Sequence, residues 1–128
     1  MAALPDYDVS ETKMVGNTGL LGENYAAEQL EKAGYMIVRR NYHSRFGEVD
    51  IIASNEKYLV FAEVKTRATS AMTHPAESVT ATKQSKLRKT ALIYLRNTKS
   101  PLQPRFDVFS IFTFKGQVVK FEWIENAF

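Results

Sequence analysis

Between Leu20 and Ala33 the apolar positions recur with helical spacing. At about 100° per residue Leu20, Ala26, Ala27, Leu30 and Ala33 share one stripe. Asn17 or Thr18 is placed to cap this helix, and Gly34 to end it in a left-handed backbone position. Glu23 lies near the middle of the stripe, where a carboxylate is costly unless something compensates it. The pattern then shifts to runs rich in β-branched and aromatic residues. Residues 35–42, 46–53 and 58–67 predict three strands, with a turn at His43, Ser44 and Arg45 and an antiparallel hairpin across residues 54–57.

Residues 68–79, with Pro75 and many small polar side chains, predict a loop. A second helix follows over 80–97, with Leu87, Ala91, Leu92, Tyr94 and Leu95 on one side and Lys86, Lys89 and Arg96 on the other. Pro101 and Pro104 mark its exit, and residues 106–114 and 118–124 predict two more strands around Lys115-Gly116-Gln117. The order helix, three strands, helix, two strands predicts an α/β or α+β sheet with helices packed on its faces.

A chain of 128 residues with 45% hydrophobic content can bury the core of one domain. We expect a flexible lead-in over residues 1–16 and a single domain over 17–128. No apolar run approaches the roughly 20 residues of a bilayer span, so no membrane role is expected. Residues 1–13 lack the sections of a secretory signal, and the absence of cysteine excludes disulfides and thiolate metal sites. A cytoplasmic protein is expected. The net charge of +3 conceals an asymmetry: from Ser78 to Arg105 there are seven basic residues and no acid, leaving −4 on the remainder.

Strand alternation places Glu48 and Asp50 on one face of the second strand and Glu63, Lys65 and Arg67 on one face of the third. The hairpin then brings Asp50 opposite or nearly opposite Glu63. Carboxylates in such a pair repel unless a cation or proton lies between them. The bland reading is a solvated ladder of weak ion pairs. Against it, the intervening residues Val49, Ile51, Ile52, Val60, Ala62 and Val64 form the apolar background of buried strands. A hard divalent ion such as Mg²⁺ (or Mn²⁺) supplies the missing charge through oxygen ligands. Lys65 beside it can stabilise the charge that develops when water attacks a phosphodiester.

The segments NTGLLGENYAAEQLEKAGY, FGEVDIIA, LVFAEVKTR and RFDVFSI, with the terminal ENAF, resemble the YraN family of small bacterial proteins over nearly all of residues 17–128. That family is similar in turn to archaeal Holliday-junction resolvases and the PD-(D/E)xK nuclease superfamily. The resemblance implies a restriction-endonuclease-like fold, a mixed central sheet flanked by helices in the order αβββαββ. It implies Asp50 as the motif aspartate, Glu63 and Lys65 as the ExK pair, and Glu23 as an acid from the first helix, with the metal on Asp50, Glu63 and the intervening Val64. It further implies a Mg²⁺-dependent endodeoxyribonuclease acting on branched or structured DNA, expected as a homodimer because symmetric cutting of two strands needs two sites.

The acid-free basic segment is read as a phosphate-binding surface: Lys86, Lys89 and Arg96 on the helix face, and Lys83 at the edge of the apolar stripe within reach of the acids. The plain alternative is a solvated helix face. Arg67 either extends this row or is a solvated strand end; Glu48 is a candidate for supporting the metal from behind. His43 and His74 are read as loop residues, Asp107 as a buried partner for a basic side chain, and Trp123 as core or subunit contact. The competing functional readings are a nucleic-acid-binding module that does not cut and an interaction domain whose acids make structural salt bridges.

Overall fold

The computed structural model describes residues 16–68 and 79–128. Residues 1–15 of the expected lead-in lie outside them, as does nearly all of the 68–79 loop, including His74 and Pro75. The elements are α1 (Gly16–Lys32), β1 (Met36–Ser44), β2 (Gly47–Ser54), β3 (Tyr58–Ala68), α2 (Ala81–Thr98), β4 (Gln103–Phe114) and β5 (Gln117–Ile124). The strands form one sheet in sequence order. β3 and β4 run parallel with α2 in the connection between them, and the other neighbours are antiparallel. This is an α/β fold of order αβββαββ, with the mixed sheet of a restriction-endonuclease-like domain.

Each helix buries a different face of the sheet. Ala26, Ala27 and Leu30 of α1 pack on Ile51, Val60, Ala62, Val64, Phe109 and Ile111. Leu87 and Ala91 of α2 pack on Val49, Ile52, Leu59, Phe61 and Val108. Both faces of β2 and β3 are thus covered, which explains their nearly unbroken apolar runs. Among the described residues no helix is long and apolar enough to cross a membrane.

Several local expectations are corrected. α1 ends at Lys32, and the Tyr35 amide bonds back to the Leu30 carbonyl at 3.0 Å around Gly34 at φ 95°. This closes the helix as the sequence predicts but turns Ala33 out into solvent. On α2 the buried stripe runs through Leu87, Thr90 and Ala91. Leu92 lies roughly 140° round the helix from Leu87 and is exposed rather than core. His43 and Ser44 belong to β1, and the turn is Arg45-Phe46. Ser44 shapes that turn: its hydroxyl accepts from the Phe46 amide at 3.0 Å and lies 2.8 Å from Thr90 Oγ1 on α2. β4 begins earlier than predicted, through Pro104, where it has a strand neighbour only on the β3 side.

Candidate active site

The β2–β3 ladder is regular from Ser54↔Leu59 to Ile51↔Ala62. The ladder ends there: Asp50, the preceding residue of β2, turns its carboxylate to accept from the Val64 amide, next to Glu63, at 2.8 Å. The alternation of β2 lapses here, since Val49 and Ile52 both pack under α2. Across the β1–β2 ladder, Asn41 occupies the position opposite Asp50 and has a left-handed φ of 55°. The two acids are 1% and 2% exposed, so neither belongs to a solvated ladder.

Glu63 alternates with Phe61 and points toward α2, where Lys83 Nζ lies 2.8 Å from its Oε2. Lys65 and Arg67 follow on the same strand face and are half-buried. Arg67 also lies 5.9 Å over the Phe112 ring, and buried Ser110 of β4 is in register with Lys65.

Glu23 comes to this end of the sheet from the α1 side. Its Oε1 accepts from Arg40 Nη2 at 2.9 Å and Asn41 Nδ2 at 3.3 Å, so Asn41 links it to the place opposite Asp50. Arg40 also donates to Asn24 at 2.7 Å. The preceding Gly22 sets how closely α1 approaches β3: a Cβ there would lie 1.9 Å from Thr66 Oγ1. Only the missing side chain permits this contact, one residue beyond Lys65.

Among the described residues no group of three or more His, Cys, Asp and Glu side chains is gathered as a metal cage. The groups that would hold a hard cation are the Asp50 and Glu63 carboxylates and the carbonyl of Val64. In a strand that carbonyl points toward the same neighbour as its own N–H, which here meets Asp50. An all-oxygen set with two carboxylates suits Mg²⁺ or Mn²⁺, which keeps water in its remaining positions. The residues present therefore fit the ion.

The expected basic residues divide. Lys86 and Lys89 are exposed on α2 beside the β1–β2 turn. Lys89 Nζ and the Arg45 guanidinium lie 5.4 Å and 5.0 Å from the Phe46 ring, which adds Arg45 to the group. Arg96 is in the last turn of α2, roughly 15 Å from Lys86 along the axis, and complements the helix dipole. Glu48 is exposed at the hairpin end, its carboxylate 3.3 Å from His43 Nδ1, and is not drawn toward Asp50. Arg40, Asn41, Gly22 and Arg45 were not singled out by the sequence. Their roles depend on which strand face meets which helix.

The model of the family described as "Uncharacterised protein family UPF0102" matches residues 22–111. A UPF0102 protein of Dictyoglomus turgidum is 42% identical over 112 residues, 86% of this chain and 95% of that protein. Relatives from Rhodococcus jostii and Geobacter metallireducens are each 43% identical over 111 residues, 86% of this chain and 94% and 90% of their own lengths. The matched span contains Gly22, Glu23, Asp50, Glu63, Lys65 and Lys83 together, and the chain belongs to the UPF0102 (YraN) family.

Proposed function

We propose that this protein is a metal-dependent nuclease that hydrolyses phosphodiester bonds, with branched or structured DNA as its substrate. The observation that carries the reading is the pair of buried carboxylates, Asp50 and Glu63, just past the Ile51↔Ala62 pair at which the β2–β3 ladder ends. The Val64 amide fixes the Asp50 carboxylate, so an acceptor oxygen is held ready at little further entropic cost. Asp50, Glu63 and the Val64 carbonyl would hold Mg²⁺ or Mn²⁺, which when bound would supply water activation and charge neutralisation at the phosphate. Lys65, on the Glu63 face, stabilises negative charge on the attacked phosphorus centre. Glu23 supports the acids from α1, while Arg45, Lys86 and Lys89 bind flanking phosphates. A homodimer would supply the second site that cutting both strands requires, and cytoplasmic nucleic acid is the substrate pool.

A panel of labelled DNA and RNA structures incubated with Mg²⁺, Mn²⁺ or EDTA tests the reading. At least one DNA structure is cleaved only with metal, and Lys65→Ala abolishes cleavage while leaving binding nearly intact. Equal cleavage by Lys65→Ala refutes the assignment. The Lys83–Glu63 pair favours one rival reading, a domain that binds without cutting and whose acids are structural. Binding without cleavage, together with no effect of metal on thermal stability, is its signature.

A further inference from the structure

Lys83 occupies a costly position. Thr80 is the N-cap of α2, and its hydroxyl accepts from the Lys83 amide at 3.2 Å, which makes Lys83 the third residue of the helix. That place favours Glu or Gln, whose side chain can return to the cap, and the positive end of the helix dipole disfavours a cation there. The first turn of α2 contains no acid to offset it. Lys83 instead runs inward along the buried stripe to Glu63, ending 2.8 Å from Oε2. The Lys83 side chain is 44% exposed and that of Glu63 only 3%, so the two ends of the pair differ in character. Glu63 cannot leave, whereas the ammonium is on a flexible stem with open solvent beside it.

Resting on the metal-centre reading above, we infer that Lys83 is the resident counter-charge of Glu63, displaced when a divalent cation enters and then free to take a substrate phosphate. Metal and ammonium seek the same carboxylate, and both cannot hold it at contact distance without repelling one another. The lysine keeps the buried acid compensated before metal arrives, and it weakens metal binding by having to be displaced. Once displaced it becomes a phosphate contact beside the reacting bond. Lys83 is on this account a substrate-binding residue whose contribution to nucleic-acid binding depends on metal.

Mn²⁺ affinity measured by calorimetry on wild type, Lys83→Gln, Lys83→Arg and Lys86→Gln tests the competition. Lys83→Gln binds Mn²⁺ about tenfold more tightly than wild type, the scale expected for one charge near a partly buried site. Lys83→Arg, which keeps the charge, and Lys86→Gln, which removes an equal charge one turn away, stay within about twofold of wild type. Thermal melts in EDTA establish that each variant is folded, and Lys83→Met serves as a second neutral variant. In a Lys65→Ala background, which prevents cleavage, Lys83→Gln weakens DNA binding when Mn²⁺ is present and leaves it unchanged in EDTA. If wild type binds Mn²⁺ and the neutral variants bind it no better, the competition is refuted while the metal centre stands. If neither wild type nor any variant binds Mn²⁺, the metal-centre reading fails and this inference fails with it. A loss of DNA affinity that is equal with and without metal also overturns the inference, making Lys83 an ordinary surface contact.

Discussion

Replacing Asp107 by alanine should be among the most damaging single changes outside the candidate site. Asp107 is completely buried, and its carboxylate accepts four hydrogen bonds. Oδ1 takes Arg105 Nε at 2.9 Å and the Asn126 amide at 3.0 Å; Oδ2 takes Arg105 Nη2 at 2.8 Å and Trp123 Nε1 at 2.9 Å. The hydrogen bonds that Arg105 donates to Asp107 raise the Arg105 pKa above its ordinary value, overriding the opposing effect of burial. A guanidinium keeps its proton in proteins, so once Asp107 is gone Arg105 cannot relieve the loss by becoming neutral. Its guanidinium also lies 4.6 Å over Tyr58 and 5.5 Å over Tyr35, which pins it in place. Removing one member of a buried pair costs about 3–5 kcal/mol. The orphaned Trp123 and Asn126 donors place this case near 4 kcal/mol rather than at the lower limit. With about 2.1 cal/mol/K of unfolding entropy per residue over 128 residues, Tm falls by roughly 15 °C. The double variant Arg105→Met with Asp107→Leu removes both charges and recovers at least half the loss, because the main cost is a buried guanidinium left with only the exposed Glu125 carboxylate at 3.5 Å. Circular-dichroism melts and urea titrations at unchanged m-value measure both effects. A Tm for Asp107→Ala within about 3 °C of wild type would refute the argument that this pair is a buried, fully engaged network.

Gly22→Ala gains about 1 kcal/mol of helix propensity but forces a methyl group into Thr66, a clash costing about 1–3 kcal/mol; the net loss should be partly restored by Thr66→Ala in the double variant. Stabilisation by the single change would show that α1 is not seated on β3. Mn²⁺ should raise the Tm of wild type, since a ligand that binds only the native state stabilises it, and raise that of Asp50→Asn much less. Equal responses would remove Asp50 from the metal centre. Replacing Lys86 and Lys89 together by glutamine should flatten the slope of log DNA affinity against log salt by up to about 2. An unchanged slope would make this face of α2 merely solvated.

The sequence conveyed the elements well because each signal is local. The switch from helical to strand spacing after Gly34 and the short break at residues 54–57 determine both the strands and the hairpin register. With so few residues in the turn, the placing of Asp50 and Glu63 just past the Ile51↔Ala62 pair follows almost by counting. What the sequence concealed depends on the third dimension. Asn41 has no special signature, yet it holds a left-handed φ across from Asp50 and turns its amide group to Glu23. Leu92 looks apolar enough for the core, but α2 is seated through Thr90, a polar residue that satisfies itself on Ser44. Asp107 was legible as a buried partner; that Arg105, two positions away on the same strand, is its mate was not.

The parallel pairing of β3 with β4 also orders events in time. Asp50 and Glu63 are brought together by a local hairpin, whereas Tyr58↔Gln103 and the rest of the β3–β4 register join residues far apart in the chain, with α2 between them. Closing the short loop is entropically cheaper, and contacts of low sequence separation form faster. The two acids therefore meet during folding before α2 has docked and delivered Lys83. On the proposed metal-centre reading, a divalent ion present in that interval would offset the repulsion between the two acids for a chain that has not yet acquired Lys83 as a counter-charge.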